Sequence, residues 1–257
     1  MTARDPKAPE GAQRDRSMAK DAERRLLAGP SSRLAELLRV LRIAWEFVGG
    51  FRRLHFVGPC VTVFGSARFR EGHPYYALAQ EIGGKLAEVG FTVMTGGGPG
   101  LMEAANRGAK EAGGRSVGCN IVLPQEQAPN AYLDEWITFN HFYVRKVMLV
   151  KYSYAFVVMP GGFGTMDEVY EVATLVQTGK LQHFPVVLVC SDYWQPLFDF
   201  MQKTQVASGT IEQHDLDHLS LVDSADAAIE IIRDAALNTF GLKYAEPRPR
   251  KRWFLFE

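Results

Sequence analysis

The stretch from Ala155 to Glu171 constrains the fold of this chain more than any other. Residues 155–159 form a continuous apolar run of β-branched and aromatic residues, which predicts a buried strand of a parallel sheet. Pro160 and a group of glycines interrupt that run, and from Thr165 the apolar residues recur with helical spacing. A strand, a glycine turn and a helix N-terminus together favour an anion site, because the free N–H groups of the first helical turn point toward a ligand.

The acidic residues that follow this turn allow two interpretations. Thr165 and Glu168 fit a capping box, in which Thr165 is the N-cap and the Glu168 carboxylate accepts the N–H group of the cap. Asp167 and Glu171 place two further acids at a helix start that already has a glycine turn, which favours a role in a site. The residues alone leave both interpretations open.

Composition and charge exclude several classes of protein. The chain has 257 residues, of which 47% are hydrophobic and 23% are charged, as in an ordinary globular protein. Its 29 basic residues equal its 29 acidic residues, which argues against a nucleic-acid partner, since such a surface needs a basic excess. We find no apolar stretch of transmembrane length and no signal-peptide core, so we expect no membrane partner and a cytoplasmic location.

The cysteines and histidines show no ligand spacing. Cys60, Cys119 and Cys190 are far apart and adjoin apolar runs, so we expect buried, reduced thiols. The six histidines are scattered along the chain. The sequence therefore predicts no metal site.

Strands and helices alternate along most of the chain, which predicts an α/β fold, a Rossmann-like doubly wound parallel sheet with helices on both faces. The predicted strands are at residues 60–64, 91–94, 117–123, 136–142, 155–159, 185–190 and 219–222. The predicted helices are at residues 31–54, 74–89, 101–112, 143–152, 165–178, 193–206 and 223–236. We divide the chain into a loosely held polar segment at 1–25, a helical extension at 26–55, a nucleotide-binding domain at 56–236 and a tail at 237–257.

Glycine-rich turns follow three of these strands. They contain Gly65 and Ser66 in the first turn, Gly96, Gly97, Gly98, Pro99 and Gly100 in the second, and Gly161, Gly162, Phe163 and Gly164 in the third. Because ligands of open parallel sheets bind at the carboxyl ends of the strands, the three turns face one crevice and favour a small ligand that bears a phosphate. The turns match neither a P-loop nor a dinucleotide fingerprint.

A basic pair, Arg145 and Lys146, precedes the central strand. It either faces the same crevice and meets the acids at 167, 168 and 171, or forms a solvated helix pair. Three motifs, residues 95–103 (TGGGPGLME), this Arg-Lys pair and residues 160–168 (PGGFGTMDE), resemble the LONELY GUY family. Members of that family are cytokinin riboside 5'-monophosphate phosphoribohydrolases, many once labelled lysine decarboxylases. The resemblance covers roughly residues 58–222, and the long N-terminal helix and tail resemble the longer bacterial members.

The resemblance implies an activity and a set of site residues. It implies hydrolysis of the N-glycosidic bond of a purine nucleoside 5'-monophosphate, with a free base and ribose 5-phosphate as products and without a cofactor. Arg145 and Glu168 are the catalytic residues that it implies. The substrate-binding residues expected with them are Gly65, Ser66, Gly97, Gly98, Gly100, Glu126, Lys146, Gly161, Gly162, Gly164, Thr165, Asp167 and Glu171.

Two alternatives remain open, a general AMP nucleosidase and a nucleotide-binding sensor without turnover. A pyridoxal phosphate decarboxylase is disfavoured, because neither Lys146 nor Lys151 lies in a recognisable Schiff-base context. We also expect a homodimer or a multiple of one, since the apolar faces of helix 31–54 and of residues 253–256 exceed what one sheet layer needs to cover.

Overall fold

The computed structural model describes residues 22–123, 128–182 and 184–238. Within these ranges the chain forms seven strands and eight α-helices. The strands are β1 (Cys60–Phe64), β2 (Thr92–Thr95), β3 (Ser116–Ile121), β4 (Glu135–Phe139), β5 (Ser153–Val158), β6 (Val186–Val189) and β7 (Leu219–Val222). The α-helices are α1 (Ala22–Leu27), α2 (Arg33–Leu54), α3 (Pro74–Glu88), α4 (Leu101–Glu111), α5 (Phe142–Lys151), α6 (Phe163–Gln177), α7 (Ser191–Phe200) and α8 (Ala225–Asn238). This architecture confirms the predicted α/β fold.

The seven strands form one sheet in the order β4-β3-β2-β1-β5-β6-β7, and every neighbouring pair is parallel. From β1 the chain proceeds outward through β2 and β3 to β4, and from β5 it proceeds to the other edge. The direction of winding therefore reverses between β1 and β5, and this switch point is where an open parallel sheet leaves a crevice at the carboxyl ends of its strands.

Two apolar cores cover the two faces of the sheet, because successive side chains of a strand point to opposite faces. Val61 and Val63 pack on one face with residues of α3, α4 and α8. Cys60 and Phe64 pack on the other face with residues of α2, α5, α6 and α7. Helices therefore lie on both faces, as the sequence predicts.

Helices α3 and α4 approach each other closely at two glycines. A Cβ atom on Gly83 would lie 2.0 Å from the backbone oxygen of Ala105, and a Cβ atom on Gly108 would lie 1.8 Å from that of Gln80. The absence of side chains at these positions lets the two backbones come into contact, which fixes α4 against the sheet. The start of α4 is thereby held next to the carboxyl ends of β1 and β2.

The N-terminal extension is helical from residue 22. Ser32 is the N-cap of α2, where its Oγ accepts the N–H group of Ala35 at 3.4 Å. The good helix formers of the segment AERRLL form α1, so the segment predicted as loosely held at 1–25 overlaps this helix at residues 22–25. Only Gly50 and Leu54 of α2 are buried. Predictions for residues 1–21 and 239–257 lie outside the described residues.

Most element ends differ from the sequence prediction by one to three residues, and the C-terminal half of the chain shows larger differences. The helix predicted at 193–206 consists of α7 and a π-helical segment, Met201–Val206, and a short 3-10 helix at Gln213–Leu216 was not predicted. Helix α6 begins two residues before the predicted start.

The three cysteines are free and buried. In the described part of the chain no helix is long and apolar enough to cross a membrane, and no group of three acidic, histidine or cysteine side chains could hold a metal ion.

Candidate functional site

A cleft of about 870 Å³ opens at the carboxyl ends of the strands around the switch point. Its wall includes glycines from all three of the predicted turns. The predicted site residues that line it are Gly65, Ser66, Gly98, Arg145, Gly161, Gly162, Gly164, Thr165 and Glu168. The backbone N–H group of Ser66 donates to the Pro160 oxygen at 3.0 Å, so the turns after β1 and β5 are joined directly.

Gly97 and Gly100, both predicted to bind substrate, are not among the residues that line the cleft. The N–H group of Gly97 donates to Thr95 Oγ1 at 2.9 Å and is therefore occupied. Gly100 has a φ of 73°, and a Cβ atom there would lie 2.5 Å from the Ser66 oxygen. Both glycines shape the turns, because each adopts a backbone conformation or a close approach that side chains oppose. Glu126 lies outside the described residues.

Helix α6 begins at Phe163, and its N-cap is Gly162, so the interpretation of Thr165 as N-cap is wrong. Gly162 has an extended backbone (φ −91°, ψ −153°) and no side chain with which to cap the helix. The first N–H groups of α6 therefore face the cleft without a side-chain partner, and they offer an anion site. Thr165 Oγ1 instead packs over Gly161, where a Cβ atom would lie 2.0 Å from it.

Glu168 is consequently in the second turn of α6 and does not take part in a capping box. The residue is 2% exposed, and its Oε2 atom is buried with no hydrogen-bond partner. A buried carboxylate oxygen without a partner is costly and calls for an explanation, such as a ligand that completes its hydrogen bonds. Glu168 is one of the residues that line the cleft, so its carboxyl group lies beside the space that a ligand would occupy.

Arg145 faces Glu168 from helix α5. Its Nη1 atom lies 3.9 Å from Glu168 Oε1, and its Nε–H group donates to the Cys119 oxygen at 2.8 Å. Gly96 makes room for this guanidinium, since a Cβ atom there would lie 2.5 Å from Arg145 Nη2. The side chain of Arg145 is 13% exposed. Arg145 is thus fixed at one end to β3, while its other end faces the cleft and Glu168.

Burial raises the pKa of Glu168 to about 7. The cations of Arg145 and Lys146 oppose this shift, and the neighbouring carboxylates of Glu171 and Asp167 add to it. A carboxyl group with this pKa populates both its protonated and its ionised form near neutral pH. Glu168 is therefore suited to general acid and base chemistry.

Lys146 lies beside this pair and does not line the cleft. Its Nζ atom is 2.8 Å from Asp167 Oδ2 and 2.7 Å from Glu171 Oε2. Burial lowers the pKa of Lys146, but the hydrogen bonds to the two carboxylates outweigh it and raise the pKa overall. The predicted substrate contacts of Lys146, Asp167 and Glu171 are not brought to the cleft. The three residues form an ion cluster that joins α5 to α6.

Several residues of the cleft were not predicted from the sequence. They are Phe64, Ala67, Arg68, Phe69, Met102, Asn120, Ile121, Leu123, Phe142, Met166 and Tyr193, whereas Gly96 and Phe163 line the cleft as members of two of the predicted turns. A signal existed for Asn120, a polar residue near the carboxyl end of β3, and for Arg68, a cation directly after the first glycine turn. Tyr193 offered none, because it reaches the cleft from α7, where its hydroxyl donates to the Gly161 oxygen at 2.7 Å.

The chain is similar to a described family and to several curated proteins. Residues 102–232 match the family model described as "Possible lysine decarboxylase". The "Cytokinin riboside 5'-monophosphate phosphoribohydrolase LOG" of Oryza sativa subsp. japonica is 31% identical over 71% of this chain and 74% of its own length. The protein named "Cytokinin riboside 5'-monophosphate phosphoribohydrolase" of Rhodococcoides fascians is 30% identical over 67% of this chain and 88% of its own length.

A further rice relative, named as the probable phosphoribohydrolase LOGL5, is 36% identical, but the chain spans only 59% of its length. Among solved structures, the X-ray structure of TM1055 is 25% identical with a TM-score of 0.54, covering 68% of this chain and 99% of that one. The molybdenum cofactor binding protein of Rippkaea orientalis is 24% identical with a TM-score of 0.51, over 68% of this chain and 96% of that one, which shows a shared fold.

The decarboxylase description of the family model does not suit this cleft. A pyridoxal phosphate enzyme needs a lysine that reaches the cofactor, and no lysine is among the described residues that line the cleft. The named relatives with the highest coverage are phosphoribohydrolases instead. The model match spans half of the chain, and two curated phosphoribohydrolases are at least 30% identical over two thirds of it, so the chain belongs to the LONELY GUY family.

Proposed function

We propose that this protein hydrolyses the N-glycosidic bond of a purine nucleoside 5'-monophosphate and releases the free base and ribose 5-phosphate. The proposal rests on the burial and the surroundings of the Glu168 side chain. This carboxylate is buried, has an Oε2 atom without a partner and lies in the cleft opposite Arg145. The names of the rice and Rhodococcoides fascians relatives support the same class of reaction.

Glu168 acts on the ribose and on water in this proposal. As the bond from C1' to the base nitrogen breaks, the base takes the electron pair and positive charge builds on the sugar ring. The Glu168 carboxylate stabilises that charge and accepts a proton from water, whose oxygen bonds to C1'. The proton then passes to the base nitrogen, which regenerates the carboxylate. The pKa of about 7 suits a group that takes up and releases a proton in one cycle.

Arg145 and the glycine turns bind the substrate around this centre. The 5'-phosphate is bound by the N–H groups at the start of α6, after Gly162, where the helix has no side-chain cap and its dipole favours an anion. Arg145 is held by the Cys119 oxygen, and its guanidinium contacts the substrate next to Glu168. Gly164 leaves open space at the helix start, since a Cβ atom there would meet nothing within 4 Å.

The base is adenine in this proposal, and an N6-modified, cytokinin-type base is the preferred form. Ile121, Leu123, Phe142 and Met166 contribute apolar side chains to the lining of the cleft. An apolar substituent on N6 gains free energy by burial against such side chains, at about 25 cal/mol per Å² of apolar area. The relatives from rice and Rhodococcoides fascians are named for cytokinin riboside 5'-monophosphate, which supports this preference.

The test is product identification. The full chain is incubated with AMP and with N6-isopentenyl-AMP, and the free base and ribose 5-phosphate are separated by chromatography. Equimolar release of both products, with a higher kcat/KM for the N6-modified nucleotide, is expected. A higher kcat/KM for AMP would identify an AMP nucleosidase. Tight binding without any free base would identify a nucleotide sensor and refute the proposal.

The proposed assembly is a homodimer or a multiple of one, formed through α2. Large apolar side chains of this helix are between 37% and 74% exposed. They are Leu34, Leu37, Leu38, Val40, Leu41, Trp45, Val48 and Phe51. Exposed apolar surface of this extent usually marks an interface, and closed two-fold assemblies are the commonest kind.

A further inference from the structure

The N-terminal extension supplies a carboxylate to the start of α5, the helix that contains Arg145. Glu46 of α2 accepts three hydrogen bonds there. Its Oε1 atom accepts the backbone N–H groups of Asn140 at 2.6 Å and of His141 at 3.2 Å. Its Oε2 atom lies 2.7 Å from His141 Nδ1. One side chain of the extension therefore binds both the backbone and the ring at the residue that precedes α5.

A second carboxylate of the extension continues this pattern. Glu23 of α1 accepts the backbone N–H group of Phe142 at 3.2 Å. Three successive N–H groups at the start of α5 thus donate to two glutamates of the extension. His141, the N-cap of α5, makes no side-chain hydrogen bond to its own helix. The N–H groups of a helix start need such partners, and here the partners are between 94 and 119 residues away in the sequence.

The Glu46 side chain is largely shielded from solvent, and its surroundings favour the ionised carboxylate. The side chains of Glu46 and His141 are 9% and 5% exposed. Burial raises the pKa of Glu46, but the hydrogen bonds from the His141 ring and from two backbone N–H groups outweigh it, so the pKa lies below its ordinary value. A negative charge at the N-terminus of a helix stabilises that helix through its dipole. Glu46 therefore stabilises the first turn of α5.

The first turn of α5 in turn sets two residues of the cleft. The backbone N–H group of Arg145 donates to the His141 oxygen at 3.2 Å, which is the hydrogen bond that closes this turn. Phe142, the first residue of the helix, lines the cleft. A displaced first turn would move both residues relative to Glu168, which belongs to another helix. The 3.9 Å separation of Arg145 and Glu168 depends on that position.

We infer that Glu46 is a positioning residue for Arg145, which couples the N-terminal extension to the catalytic pair. The kinetic part of this inference rests on the proposed function. Other contacts also hold α2, because Arg53 Nη1 donates to the Trp136 oxygen and the Tyr152 hydroxyl donates to the Phe51 oxygen, so we expect Glu46→Ala to keep α2 attached. The role assigned to Glu46 is thus separate from the attachment of the extension.

The kinetic test is a double-mutant cycle in the full chain. Glu46→Ala is expected to lower kcat/KM on the order of 10-fold, and in an Arg145→Ala background to lower it less than about 2-fold, because the two changes act on one interaction. Glu46→Gln retains an acceptor oxygen and is expected to lose less than Glu46→Ala. The matched control is Glu36→Ala on the same helix, whose carboxylate contacts Ser31 and Arg39 and lies away from α5. If Glu46→Ala lowered kcat/KM by the same factor with and without Arg145, the two residues would act independently and the inference would be overturned.

A second readout does not require turnover. Amide hydrogen exchange at residues 142–146 is expected to be at least about 10-fold faster in Glu46→Ala than in Glu36→Ala, while exchange at residues 169–172 of α6 stays unchanged. Unchanged exchange at 142–146 would overturn the inference. If the wild-type chain releases no base, the proposed function fails, and the exchange data still decide whether Glu46 holds α5. Should Glu46→Ala not fold, Glu46→Gln gives the same comparison at smaller amplitude.

Discussion

Arg145 and Glu168 lie on different helices, yet their side chains meet at 3.9 Å with only 13% and 3% of their surfaces exposed. At this distance the pair makes no direct hydrogen bond, and the Glu168 Oε2 atom has no other partner. The carboxylate is therefore buried next to a cation that does not form a hydrogen bond with it. Such an arrangement lowers stability and is typical of a catalytic group.

The first prediction concerns stability and pH. Because the folded state raises the pKa of Glu168 from 4.5 to about 7, the folded protein binds more protons than the unfolded chain between these values. The free energy of unfolding therefore falls as pH rises from about 5 to about 7, by up to about 3 kcal/mol for this group. Glu168→Gln removes the effect. We expect the variant to be more stable than the wild type at pH 8 by about 1–3 kcal/mol, with a smaller difference at pH 5.

Urea denaturation at both pH values measures this difference. Glu171→Gln, which alters a carboxylate of the ion cluster, is the control, and we expect it to lack the gain at pH 8. Equal stability of the wild type and Glu168→Gln at pH 8 would show that the Glu168 carboxylate is not destabilised by burial.

The second prediction concerns Lys146. Its cation lowers the pKa of Glu168 and bridges Asp167 and Glu171, so its removal raises the pKa of Glu168 further. If the ionised carboxylate is the active form, the acidic limb of the pH–rate profile of Lys146→Met moves to higher pH. Lys151→Met, at the end of the same helix, is the control, because this lysine lies over the Phe51 ring, away from the acids. An unshifted acidic limb in Lys146→Met would exclude this electrostatic role.

The third prediction concerns the contact of α3 with α4. Gly108→Ala places a Cβ atom 1.8 Å from the Gln80 oxygen, and the helices must separate. We expect a loss of about 1–3 kcal/mol in the free energy of unfolding, even after the gain in helix propensity of about 1 kcal/mol. Gly84→Ala is the matched control, since its Cβ atom would lie 3.5 Å from the Gly108 oxygen, an ordinary contact. Thermal unfolding should show a lower Tm for Gly108→Ala alone, and equal Tm values would contradict the packing described.

The fourth prediction concerns assembly. Light scattering of the full chain at micromolar concentration should give a mass of at least twice 28.7 kDa. Trp45 and Leu41 of α2 are 74% and 51% exposed, and the double variant Leu41→Asp with Trp45→Asp should weaken the assembly at least 10-fold. Phe200→Asp, at an exposed position of α7, should leave it intact. A monodisperse monomer of the wild-type chain would refute the assembly.

Most strands of this protein could be predicted from the sequence because they contain short apolar runs, and the run at 155–159 lies within one or two residues of β5. The start of α6 could not be predicted correctly from the sequence. Thr165 is a good N-cap by type, but the glycine at 162 adopts the cap conformation first and leaves no side-chain signal. A capping residue without a side chain is visible only in the backbone.

The site was predicted where its residues follow one strand and missed where the fold brings distant residues together. Gly161 and Glu168 belong to one strand-turn-helix motif, whereas Tyr193 arrives from a later helix. The contact of Glu46 with His141 joins residues 95 positions apart. Neither residue belongs to a local pattern, so only the packing of α2 against α5 reveals the contact.

The central claim is that Glu168 performs the chemistry of nucleotide hydrolysis, and single-turnover kinetics of Glu168→Gln test it most directly. The wild type and the variant are mixed in excess with AMP or N6-isopentenyl-AMP, base release is followed by chromatography, and binding is measured by calorimetry. We predict that the variant binds nucleotide within a few-fold of the wild type while base release slows on the order of 10²-fold or more. Near-normal base release by Glu168→Gln would contradict the account.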